Sequence, residues 1–171
     1  NSTCRPIMCG SIVASNAFIN ANQERQIVYK NQFAMAEARR RQINAQITPL
    51  VAKFNSDRQG GKVPPAELQA QARAIQNLQQ SGARELQAMR APITLSETYV
   101  REQIGDAINQ AIVNAMDKRG ITFVVPPQNV LAHNNAYNIS PVVLAELNAI
   151  LPVAKVAPPE GWQPKAVREA Q

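Results

Sequence analysis

The chain has 171 residues, a formal charge of +6, 5% aromatic side chains and two cysteines. The length is that of one ordinary domain, and so few aromatics speak against one large globular interior and for long helices that bury narrow stripes. No run of about 20 apolar residues exists to span a bilayer, no signal peptide is visible, and the basic balance points to acidic partners: nucleic acid, anionic lipid or acidic protein surfaces.

At the front, Cys4 and Cys9 are too isolated to form a metal site or a redox motif, and a local disulfide and two free thiols both stay open. Arg5 to Met8 reads as a short strand that Pro6 confines to a sheet edge or a strand start. From Ser15 to about Phe54 there is no glycine, and Pro49 is the one proline. Apolar or small residues recur there at Phe33, Ala36, Ile43, Ile47, Leu50 and Phe54, with Arg40 interrupting the row. Steps of three and four predict a helix packed along a narrow seam.

"NSDRQGGKVPPAE" cannot continue that helix and predicts a tip loop at about 55–65. Pro65 then suits a helix start, with Glu67 in its first turn. The second helix is expected to run to about Arg119, on a row of Leu68, Ala72, Ile75, Leu86, Met89, Ile93, Val100, Ile104, Ala107 and Ile108, with Gly82 and Pro92 as interruptions. Two long helices joined by a short loop fold back as an antiparallel hairpin. Pro49 and Pro92 are each expected to kink their helix, because each lacks the amide its ladder needs.

Gly120 ends the second helix behind Lys118 and Arg119. Ile121 to Val125 then read as a strand stopped by Pro126 and Pro127, and Val130 to His133 as a second short strand. Asn138 or Ser140 is placed to cap a helix from Pro141 to Leu151, and the proline-rich tail beyond it is expected to be extended. Two or three short strands do not make a stable sheet alone. Ile121, Phe123, Val125, Val130 and Leu131 are therefore expected to pair with the same strands of other copies. The expected fold is mainly α with a small β body. The body comprises residues 1–16 and 120–171, and a helical-hairpin arm over 17–119 projects from it.

Little in the chain suggests catalysis. His133 is a lone histidine beside a strand, best read as structural or surface-placed. "QGGKV" at 59–63 lacks the spacing of a phosphate loop. Glu97 and Glu102 read as part of a solvated helix face. No enzyme activity and no cofactor is expected. The charge layout carries more. Arg39, Arg40, Arg41, Lys53, Arg58, Lys62, Arg73, Arg84 and Arg90 outnumber Asp57, Glu67 and Glu85 by six between residues 39 and 90, which equals the net charge of the whole chain. Such an arm is either a solvated face or a surface that attracts acidic polypeptides and anionic lipid head groups. Non-specific nucleic-acid binding competes with that reading, although few aromatics accompany the arginines to stack on bases. Met35, Val51, Leu78 and Leu95 are candidates for apolar contact with a client in addition to Ile27 and Val28, or they widen the seam.

The order of strand, short helix, long helical hairpin, strand and closing helix resembles the Skp (OmpH-like) periplasmic chaperones. The residues that carry the likeness are "SNAF" at 15–18 and, more strongly, "MDKRGITFVVPPQNVLAHNNAYNISPVVLAELN" at 116–148, with Asn138-Ile139-Ser140 at the family's polar turn. It covers about residues 5–151 and leaves out "GWQPK" at 161–165; the first strand, "CRPIMCG", departs from the family pattern. The resemblance implies a jellyfish-like homotrimer with a β-built body and three helical arms around a cavity. It implies an ATP-independent holdase for unfolded outer-membrane proteins in a Gram-negative periplasm, with its signal peptide removed and with lipopolysaccharide as a further candidate ligand. A structural coiled-coil scaffold and a basic nucleic-acid-binding protein are the rival readings.

Overall fold

The computed structural model describes residues 11–125 and 135–170. Its helices are α1 (Asn16–Val28), α2 (Lys30–Gly60), α3 (Pro65–Arg119), α4 (Ser140–Ile150) and the single turn α5 (Lys165–Arg168). Residues 11–14 form a helical turn ahead of α1, and Asn135–Tyr137 a 3-10 turn ahead of α4. Packing divides the chain into two compact units. One joins the segment up to Val28 with Thr94 onward, and the other is Tyr29–Ile93. These boundaries, at 28/29 and 93/94, both lie inside the expected 17–119 arm.

In Tyr29–Ile93, α2 and the first half of α3 form the hairpin. Gly61 sits at φ +63°, the left-handed conformation that closes a helix at little cost to glycine. The loop is short, 61–64, because α2 runs on to Gly60 rather than stopping near Phe54. The backbone carbonyl of Pro64 accepts from the amides of Glu67 and Leu68 and so starts α3. Three cross-links fix an antiparallel register. Asp57 pairs with Gln71, Ile43 packs where a Cβ on Gly82 would come within 2.9 Å of it, and Arg39 pairs with Glu85. Ala36 and Ile43 are buried on α2, with Phe33, Ile47, Val51 and Phe54 half-buried beside them. Leu50 is 39% exposed, so the seam passes through Val51 and not Leu50. On α3 the row is Leu68, Ile75, Leu78, Gly82, Leu86, Met89 and Ile93. Gly82 is therefore part of the seam and not a gap in it. Pro49 and Pro92 both lie inside unbroken helices.

In the other unit, α1 begins at Ser15, whose buried hydroxyl donates to the Ile12 carbonyl (2.7 Å) and accepts from the Phe18 amide (3.3 Å). The helix ends at Tyr29, a turn that splits the expected first helix in two. Neither glycine nor proline stands there; Ile27, Val28 and Tyr29 are β-branched or aromatic side chains of low helix propensity. The core collects Ala17 and Ala21 from α1, then Val100, Ile104, Ile108, Ala111 and Ala115 from α3. Val143 and Leu147 of α4 complete it with Ala154 and Val156 of the tail. Steps of three and four along α3 hold one stripe against these partners. The N–H of Asn16 donates to Asn148 Oδ1 (2.8 Å), and Lys118 pairs with Glu146 (2.5 Å), which ties α4 to α1 and α3.

The end of α3 follows a Schellman pattern. Ile121 N–H donates to the Met116 carbonyl (2.9 Å) and Gly120 N–H to the Asp117 carbonyl (3.3 Å), with Gly120 at φ +62°. Residues 121–125, expected as a strand, carry neither helix nor strand, and among the described residues no β-ladder forms. A ladder needs a partner, and the expected strands Arg5–Met8 and Val130–His133 lie outside the described residues, as do Cys4 and Cys9. Asn138 Oδ1 accepts the Ser140 amide (3.0 Å), but the N-cap of α4 is Ile139, which offers no side-chain cap, so neither Asn138 nor Ser140 is the capping residue. The tail does not leave the molecule but returns along α3, where Gln103 and Glu102 bond its backbone.

Candidate functional site

The nine basic side chains of residues 39–90 all fall within Tyr29–Ile93, where ten basic and four acidic residues give a net +6. Three of them are committed to partners. Arg39 grips Glu85 with two parallel hydrogen bonds of 2.8 and 2.9 Å, joining α2 to α3, and also donates to Gln42. Arg40 grips Glu37 in the same forked way, one turn back on α2. Lys53 pairs with Asp57 (2.5 Å), whose same oxygen accepts from Gln71 (2.7 Å). The hydrogen bond from Arg40 holds the Glu37 carboxyl below its usual range, and those from Lys53 and then Gln71 do the same for Asp57.

The remaining six, Arg41, Arg58, Lys62, Arg73, Arg84 and Arg90, are exposed and enter no ion pair among the described residues. Arg58 lies 6.0 Å from the centre of the Phe54 ring. Sequence alone ranked all nine alike. The spacing Arg40–Glu37 was legible at i,i+3, but the Arg39–Glu85 pair, 46 positions apart, required the register of the hairpin.

Of the apolar candidates, Met35 is 62% exposed, whereas Val51 and Leu78 are half-buried on the seam row and Leu95 is half-buried in the other unit. Ile27 is the more exposed large aliphatic, at 76%. Ile121 is half-buried, and Phe123, Val124 and Val125 are 71, 37 and 39% exposed, so three consecutive apolar side chains follow α3 without a covering partner in the described chain. Val130, Leu131 and His133 lie outside the described residues.

Among the described residues no group of three or more His, Cys, Asp or Glu could hold a metal ion, and no helix is long and apolar enough to cross a membrane. Among the described residues the exposed surfaces are a hairpin with six cations outside any ion pair and an apolar segment, Phe123 to Val125, after α3. No curated protein and no solved structure matches the chain. Over residues 13–147 it matches the family model of outer membrane protein (OmpH-like), and the chain belongs to that OmpH-like family.

Proposed function

We propose that this protein is an ATP-independent holdase of the periplasm that binds unfolded outer-membrane proteins and keeps them from aggregating. Membership of the OmpH-like family over residues 13–147 is the observation that carries this reading. The charge layout supports it. Six exposed, uncommitted cations on one hairpin raise the local concentration of acidic chains and of anionic head groups, lipopolysaccharide included. The cations are carried on helices whose apolar seam is already filled, so client capture there rests on long-range attraction and on scattered contacts such as Met35.

The working form is a homotrimer in which Ile121 to Val125, with Val130 and Leu131, joins an intersubunit β body. Phe123 at 71% exposure is the feature that asks for such a cover, because a large aromatic left in water forfeits the burial that would stabilise it. The test is aggregation of an unfolded outer-membrane barrel protein followed by light scattering without nucleotide. Suppression at near-stoichiometric amounts supports the reading. Unchanged aggregation rejects it and leaves the structural scaffold, and a gel shift at moderate salt would favour the nucleic-acid alternative.

A further inference from the structure

Residues 152–168 lie on one face of α3 and are held by four of its side chains, Tyr99, Glu102, Gln103 and Asp106. The side-chain amide of Gln103 makes a reciprocal pair with one residue's backbone. Its Nε2 donates to the Lys155 carbonyl (2.8 Å) and its Oε1 accepts from the Lys155 amide (3.0 Å). On either side of Lys155, Ala154 is fully buried and Val156 is 3% exposed, while Lys155 itself is exposed. That two-residue alternation is an extended peptide read along its backbone. Further on, the Trp162 ring meets the Tyr99 ring edge-on at 4.8 Å. Glu102 Oε1 accepts the Lys165 amide (2.7 Å), Glu102 Oε2 lies 3.7 Å from Arg168, and Asp106 pairs with the Lys165 ammonium.

Each element of this contact is one that recognises a peptide. An amide pairs with main chain whatever the side chain, an aromatic seats an aromatic, and two carboxylates select bases. The anchoring pairs are half-exposed, so salt weakens them. Residues 148–171 also lie outside the family match. We propose that this face of α3 is a binding site for an extended peptide with small apolar residues two apart followed by an aromatic and basic residues, and that the chain's own tail fills it as a displaceable intramolecular ligand. This is separate from the holdase reading: the face belongs to a different unit from the basic hairpin, and its test involves no unfolded barrel protein.

Trp162 is the one tryptophan, so its emission reports the tail directly in the intact chain. The probe is a synthetic peptide of residues 152–171 carrying Phe in place of Trp162, added to the full chain. A tethered ligand sits at an effective concentration of about millimolar, so peptide in that range is expected to expel the tail. Trp162 emission should then shift to the red and acrylamide quenching should rise. In the full-length Lys165→Ala/Arg168→Ala chain the half-point should move at least fivefold lower, and a scrambled peptide should do nothing. Trp162 that is already fully quenchable without peptide would overturn the proposal. So would an unchanged spectrum in both chains up to several millimolar peptide, or an equal response to the scrambled sequence.

Discussion

Ser96 and Arg25 are both buried in one unit, at 0 and 4% exposure, and Arg25 Nε donates to the Ser96 hydroxyl at 3.0 Å. Arg25 also donates to Asn22 from the preceding turn of its own helix (2.7 Å). A buried guanidinium is tolerated only where acceptors meet its donors. Ser96→Ala removes one acceptor while changing little volume, and is expected to destabilise the protein by about 1–3 kcal/mol, read as a lower denaturant midpoint at unchanged slope. An unaltered midpoint would show that water or another group takes over. At the hairpin tip the sign of a pH effect can be worked out. Asp57 has a folded-state pKa below its ordinary 3.8, first through Lys53 and then Gln71. A depressed acid contributes stability that is present above the unfolded value and lost as pH falls through the folded one. Unit stability should therefore decline on acidification below about pH 4, and Asp57→Asn should flatten that part of the acid limb. The same slope in both proteins would assign the decline elsewhere.

At the scale of elements, Gly82 is the close-approach point of α2 and α3. A Cβ there would lie 2.9 Å from Ile43 Cγ2, and Ile43 is stiff at that branch. Gly82→Val places two further methyl groups in the same space, and overpacking of this kind costs about 1–3 kcal/mol. The expected result is a lower melting temperature with helical content retained at low temperature. A rise in melting temperature would mean that the helix propensity gained over glycine exceeds the steric cost. In sequence Gly82 looked like an interruption, because a residue without a side chain leaves no mark in an apolar pattern. The Leu50 and Val51 exchange has a similar origin: with two adjacent apolar residues, steps of three and four fit either, and only the facing helix decides. The turn before Pro65 and the end of α3 at Gly120 were legible because glycine and proline punctuate locally, but residues 55–60, expected in the loop, continue α2. The break at Tyr29 was not, since nothing there forbids a helix. The docked tail was illegible for another reason: Gln103 and Lys155 stand 52 positions apart, and no local pattern announces such a pair.

For the whole molecule, charge is the property that distinguishes the hairpin from the rest. The hairpin carries +6 and the remaining sequence is balanced, with eight basic and eight acidic residues. Replacing Arg41, Arg73, Arg84 and Arg90 with glutamine spares the Arg39–Glu85 and Lys53–Asp57 links, so melting should change little. Capture of an acidic unfolded client should slow at low salt and match the wild type at high salt, because steering by net charge is screened. Stopped-flow capture at both salts separates this from a specific contact, which would cost the same at each.

The central claim, a holdase whose apolar segment after α3 is covered by other copies, is most directly tested by molar mass in solution from light scattering coupled to size exclusion. The measurement is made for the wild type and Phe123→Asp, each alone and with an unfolded barrel protein. Phe123 is exposed within its own chain, so the substitution should leave the fold of a single copy intact and strike only the assembly. The account predicts three copies of the 18.7 kDa chain for the wild type, one client added in the soluble complex, and single copies without soluble client for Phe123→Asp. A wild-type chain that elutes as a single copy while the client precipitates, or a Phe123→Asp chain with the wild-type mass, would contradict it.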